Sequence, residues 1–366
     1  MSEDVMPYNT GATGQFQIRT YREQANLSQG ELGTLLGVTR QTIAAWEKGE
    51  RAPSLEQLSK LARALNVPLD LLLGEVEEAG PSLLFRSDNP ESLGPELRSL
   101  LAHKYQDYAS VEKMIGDLSA LPPSHNLEGY DPLTSEAMGR EVRDWLGVEQ
   151  APLGDVLSLL EGKGIKVILH PLPNDISGLS AYTEELGGVI FVNSGHPTER
   201  KYFTALHELG HLIFHRREYG KPQAGKDREK ENTANHFAGA VLMPRNVVEK
   251  ELRNYRRQWI PEPLLQDLKL RYQVSMRLVL IRANQVGMTP TTLKRQQYDA
   301  LDKKYGPTKE LPELPPPRTL RRLERLVYQA LLKEEITTSR AAEILGKPLV
   351  EVRRELQDWL EEGNAP

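Results

Sequence analysis

Apolar and polar positions change period several times along the 366 residues, and each change marks an expected element. Residues 1–14 are polar and glycine-rich and read as a disordered tail. From Gln15 to Leu73 apolar residues recur at helical spacing in short runs, which predicts a five-helix N-terminal domain over 15–73. Within it, Ser28 is suited to cap a helix over 29–36, Gly37 to turn the chain, and Thr39 to cap a further helix from Arg40. Residues 74–95 carry Glu, Gly and Pro without periodicity and read as a linker. Helical spacing returns from Pro95 to Leu118, from Asp131-Pro132 to Trp145, and from Pro152 to Glu161, where Gly164 stops it. The pattern then shortens: Ile165–Leu169 predicts a strand, and Gly178–Tyr182 with Val189–Val192 predicts a hairpin around Gly187-Gly188. A helix follows from about Thr198, and another ends at Leu242. Four prolines in 310–317 predict a semi-rigid spacer, and a last helical pair fills Leu320–Leu360. The fold expected is mainly α with a small β-sheet. It comprises the N-terminal bundle, an α+β domain over 96–309 and a helical C-terminal module over 318–366.

Composition narrows the chemistry. The chain has no cysteine, which removes disulfides, thiol catalysis and thiolate metal sites, so any metal must be held by His and carboxylate. Charged residues make up 27% and the net charge is −5, so no basic tail advertises nucleic acid. Neither a signal peptide nor an apolar run near 18 residues is visible, and the expectation is a cytoplasmic protein without membrane contact.

The most informative run is His207-Glu208-Leu209-Gly210-His211. On a helix the two histidines share a face and can share one metal. Glu208 lies about 100° round the helix, where it can act on water as a general base without being a ligand. Two histidines leave a catalytic zinc one protein ligand short. Glu231 follows His211 by 20 residues (231 − 211) on the next helix and is the preferred third ligand, with Glu229 as its rival. Asn235, one turn on, is placed to hydrogen-bond a ligand histidine from behind. His215 and His236 read as core or supporting histidines. Tyr219 and Arg282 are candidate donors to a tetrahedral oxyanion. The strand edge near Val189–Asn193 is a candidate for gripping an extended substrate. Zinc is the expected ion, with manganese as the alternative.

The N-terminal domain has the spacing of a helix-turn-helix, whose second helix offers Arg40, Gln41 and Thr42 to base edges. Arg suits guanine and Gln suits adenine, because each makes two hydrogen bonds to one edge. Gln29 and Thr39, at the starts of the two helices, complete the expected DNA-facing set, and Lys48 and Arg51 suit phosphates. Ile43 and Trp46 face the core. Over 15–73 there are seven basic and six acidic residues, so affinity for a double-stranded operator is expected to be modest and to call for a homodimer.

Two stretches resemble known families. Leu27-Ser28-Gln29-Gly30-Glu31-Leu32, Gly37 to Ile43, Trp46-Glu47-Lys48-Gly49, Pro53 and Leu61-Ala62 resemble the Cro/CI-type (XRE) repressors. Phe191-Val192-Asn193-Ser194, Arg200, Phe203-Thr204, His207 to His211, Glu231, Ala234-Asn235, Phe237-Ala238 and Leu242-Met243-Pro244 resemble the ImmA/IrrE metallopeptidases over about 130–290. Val274 to Arg282 resembles that family's late helix, and Thr233 departs from the Gln or Glu common there. The second resemblance implies a zincin-like domain in which His207, His211 and Glu231 bind zinc and Glu208 is the base. It also implies cleavage of helix-turn-helix repressors under stress, DNA damage or mobile-element signals. The protein substrate would be such a repressor or this chain itself, cut within 74–95. A non-cleaving, antitoxin-type regulator with a sensory metal is the alternative. The C-terminal pair 337–346 and 348–359 is also helix-turn-helix-like, but Leu349-Val350-Glu351 offers no base reader, and no function follows for it.

Overall fold

A computed structural model describes residues 17–25, 27–65, 67, 69–72, 86–87, 92–118, 121–127, 129–219 and 227–362. The tail expected over 1–14 and most of the linker expected over 74–95 lie outside the described residues. The chain forms two compact units. One holds 17–72, 94–104 and 331–362; the other holds 86–93 and 105–330. The architecture is mainly helical with one small sheet, as the pattern predicts.

The first unit opens with α1 (Ile18–Gln24), α2 (Gln29–Leu36), α3 (Arg40–Glu47), α4 (Leu55–Leu65) and α5 (Leu69–Leu72). Ser28 and Glu31 cap α2 reciprocally, each side chain taking the other's backbone N–H. Gly37 turns at φ 68°, and Thr39 Oγ1 accepts from Thr42 N to start α3. The turn is tight at Gly33, where a Cβ would lie 2.8 Å from the Val38 carbonyl oxygen. Ile18, Tyr21, Leu32, Ile43, Trp46, Leu58 and Leu61 form the core.

The second unit begins with β1 (Arg86–Ser87), inside the stretch that reads as a linker. α6 (Pro95–Ile115), which the two units share, is followed by α7 (Pro132–Leu146) and α8 (Val156–Gly162). Next come β2 (Lys166–His170), β3 (Gly178–Thr183), β4 (Gly187–Asn193), α9 (Thr198–Phe214) and α10 (Arg228–Leu242). The helices α11 (Arg245–Glu251), α12 (Glu262–Tyr272), α13 (Met276–Gln285) and α14 (Thr291–Tyr305) follow, and α13 packs against α10, α11, α12 and α14. α15 (Arg322–Leu332) follows, and α16 (Thr338–Leu345) and α17 (Leu349–Glu362), which belong to the first unit, close the chain. No helix among the described residues is long and apolar enough to cross a membrane.

The sheet order is β1-β3-β4-β2. β3 and β4 form the expected hairpin, but its three-residue loop is 184–186, and Gly187, at φ 72°, opens β4. β2 then joins β4 in parallel. This corrects the expected substrate edge: Val189–Asn193 lies in the middle of the sheet, with both sides paired.

The Pro-rich segment, expected as a semi-rigid spacer, is anchored by hydrogen bonds. The Glu310 carboxylate accepts the backbone N–H groups of Met276 and Arg277 at 2.6 and 3.1 Å, capping α13. Thr198 donates to the Pro315 carbonyl at 2.8 Å, and Arg318 N donates to Asp155 at 2.6 Å. The segment is therefore pinned to the second unit at Glu310 and Pro315, and again just beyond it at Arg318.

Candidate metal centre and nucleic-acid interface

Two helices and one strand build the centre. α9 packs over the sheet so closely that a Cβ on Gly178 would lie 2.4 Å from Thr204 Cγ2. α10 crosses α9 at Gly210, where a Cβ would lie 2.9 Å from Phe237 Cδ1 and 3.3 Å from Ala234 Cα. Only a glycine at this crossing lets the helices approach so closely. Leu206, Leu209, Phe214, Phe237 and Val241 of these two helices belong to one apolar core.

That crossing brings His207, His211 and Glu231 together, with one donor atom from each lying within 4.8 Å of the others. His207 Nε2 and His211 Nε2 are 3.0 Å apart, and each lies 3.4 Å from an oxygen of Glu231. All three residues are buried. Burial works to raise the Glu231 carboxyl, but the hydrogen bonds and charges of His207 and His211 hold it far below the ordinary carboxylate range. Glu229 is exposed and reaches instead toward Gly129, where a Cβ would meet its Oε2 at 3.1 Å.

The outer nitrogens are also engaged. Asn235 Oδ1 is 3.0 Å from His207 Nδ1, and His215 Nδ1 is 3.0 Å from His211 Nδ1. If both ligand rings carry their proton on Nδ1, each Nε2 keeps its lone pair for a cation.

Glu208 is 3% exposed and accepts a 2.5 Å hydrogen bond from the Ser180 hydroxyl on β3. Since that hydroxyl donates to Glu208, the Tyr219 hydroxyl donates to Ser180 Oγ, at 2.7 Å. Tyr219, expected as an oxyanion donor, thus reaches the glutamate through Ser180. Ser180 is silent at the level of sequence, because a lone serine in a strand carries no spacing signal.

Arg282 corrects the other oxyanion expectation. It is 0% exposed; its Nη1 pairs with Glu136 at 2.8 Å and its Nε donates to the Met243 carbonyl at 3.0 Å. The guanidinium caps the end of α10, where unpaired carbonyls favour a cation. Glu136 also accepts from His236 Nε2 at 2.9 Å, and the Tyr130 hydroxyl meets His236 Nδ1 at 2.7 Å. A cleft of about 810 Å³ runs past Tyr130, Phe203, Asn235 and Ile281.

On the first unit, Arg40, Gln41, Lys48 and Arg51 are exposed at or beyond α3, and Thr42 is half-buried. Thr39 spends its hydroxyl on the cap. Gln29 donates to Glu47 at 2.8 Å, and Glu47 also pairs with Arg22 at 2.5 Å. The Gln29 amide nitrogen thus braces α2 against α3, a different task from the DNA contact expected of it.

Residues 18–72 match the helix-turn-helix family model, and 160–284 match the IrrE N-terminal-like domain of the M78 peptidases. An uncharacterized HTH-type transcriptional regulator, MJ0272 of Methanocaldococcus jannaschii, is 41% identical over 63 residues, which are 96% of that protein and 17% of this chain. This chain belongs to the HTH-type transcriptional regulators. A second such regulator, from Methanothermobacter thermautotrophicus, is 52% identical over 48 residues, 70% of its length and 13% of this chain. The cryptic phage CTXphi transcriptional repressor RstR of Vibrio cholerae is 38% identical over 61 residues, 55% of its length and 17% of this chain. The regulator therefore joins a DNA-binding fold to an IrrE-like domain holding a His/His/Glu cluster.

Proposed function

We propose that this regulator binds an operator through α3 and that its second unit is a zinc-dependent endopeptidase that cuts a repressor. The target is a helix-turn-helix protein, or this chain itself within 74–95, and the trigger is stress, DNA damage or a mobile element. The similarity to a phage repressor supports that setting. One observation carries the reading: two imidazoles and one carboxylate converge in a buried cluster with Glu208 beside them. Tetrahedral zinc, with bonds of about 2.0–2.2 Å, sets neighbouring donors roughly 3.3 Å apart. The observed 3.0, 3.4 and 3.4 Å fit that spacing. Manganese is the alternative ion, and a homodimer on the operator is part of the proposal.

Bound zinc would supply Lewis acidity and bring the pKa of water down toward 7. His207, His211 and Glu231 would hold it. Asn235 and His215 would fix the two rings in the ligating tautomer. Glu208 would take the proton from the attacking water and pass it to the leaving amine, its carboxylate oriented by Ser180.

The test is incubation of the full chain with zinc or manganese, with and without single-stranded DNA. Cleavage of the chain itself and of a repressor encoded beside it is followed. If neither is cut under any of these conditions, the peptidase reading fails. Asn235→Ala is expected to weaken metal affinity about 10–100-fold, read by competition with a chromophoric chelator. At the other unit, Arg40→Ala is expected to cost about 1–3 kcal/mol in operator binding and to relax preference at one base pair. Lys48→Ala instead weakens all sequences alike and lowers the salt slope by about 1, measured by gel shift over a salt series.

A further inference from the structure

The outer edge of β3 carries a short partner from an unexpected place. Arg86 and Ser87 pair antiparallel with Ser180 and Leu179, so a piece of the interdomain stretch completes the sheet. The same stretch is held a second time, where Ser92 donates to Asp175 in the connection before β3. The position is chemically pointed. Arg86 sits opposite Ser180, the residue whose hydroxyl holds Glu208 at 2.5 Å. A strand added here runs about 4.8 Å from the β3 backbone, directly beside the residue that touches the base. The sequence leading into it, Ser82-Leu83-Leu84-Phe85, is an apolar run inside a stretch otherwise marked by Glu, Gly and Pro. An exposed sheet edge recognises any extended polypeptide through its backbone N–H and C=O groups.

We propose that Arg86–Ser87 is an internal strand that occupies, in cis, the edge on which an extended peptide substrate adds beside the metal centre, and so restrains the peptidase. The proposal rests on the endopeptidase reading for its consequence, but the docking it describes can be tested apart from catalysis. The regulator would be held in check by its own chain, and release of this strand would open the edge to a target.

The probe is a fluorescent synthetic peptide with the sequence of residues 82–91, titrated by anisotropy against the full chain carrying Glu208→Gln, so that nothing is cut. Adding Arg86→Pro and Ser87→Pro removes the internal donors and is expected to tighten peptide binding at least tenfold. Hydrogen exchange in 178–183 should quicken in that variant and slow again when peptide is added. A peptide N-methylated at its Arg and Ser should not bind, because strand addition needs those N–H groups. Equal affinity for the two proteins, or undiminished binding of the methylated peptide, overturns the proposal. Docking seen in these titrations, together with no cutting of the chain or of a repressor by the protein with Glu208 restored and supplied with zinc or manganese, would overturn the peptidase reading while leaving the docking standing.

Discussion

Glu208→Gln is expected to reduce peptide hydrolysis about 10²–10⁴-fold while leaving metal content and operator binding intact. The amide has the shape of the carboxylate and still offers an oxygen to the Ser180 hydroxyl, so the local packing survives. What it cannot do is accept a proton from water at neutral pH. The loss corresponds to about 3–5 kcal/mol of transition-state stabilisation. Cleavage assays and metal analysis on the same preparations check it. A variant that retains full activity removes Glu208 from the mechanism, and one that loses its metal shows that the residue serves the site's structure.

Glu136→Gln is expected to destabilise the second unit by about 3–5 kcal/mol, because it strands the wholly buried Arg282 charge. Urea denaturation followed by tryptophan fluorescence measures it. Acid adds a second signature. Burial raises the Glu136 carboxyl, but hydrogen bonds from His236 and Arg282 outweigh it and bring it down to about 2 from 4.5. A carboxyl depressed by folding stabilises the fold fully above its unfolded value. That contribution is therefore present above pH 4.5 and fades as pH falls toward 2. The Gln variant should lack this limb of the stability curve.

The two histidines and Glu231 were legible because helix geometry converts sequence spacing into a shared face. Spacing alone leaves Glu229 as a rival to Glu231. Both lie on α10, and only burial separates the carboxylate at the cluster from the one that reaches toward Gly129. Strand pairing was legible only where it was local. The hairpin of β3 and β4 follows from nearby alternation, whereas the parallel pairing of β2 with β4 and the return of β1 join residues with no pattern in common. Hence the edge expected at Val189–Asn193 falls on a strand paired on both sides. Arg282 was misread for a related reason. A polar residue on a late helix looks available for chemistry until the carbonyl of Met243 and the carboxylate of Glu136 are seen to claim it. Gln29 likewise looks free for DNA until α3 presents Glu47 to it.

The contact of Gly210 with Ala234 and Phe237 has a consequence for how the protein meets its ion. The fit of Gly210 against Phe237 and Ala234, within a shared apolar core, sets the gap between the two helices and needs no cation to draw them together. The scaffold around the cluster rests on that packing, unlike a zinc finger, which is unfolded without its metal. Chelators should therefore empty the regulator while its far-ultraviolet circular dichroism stays unchanged. Loading and stripping would then act as a reversible switch on chemistry alone, with the scaffold a bystander.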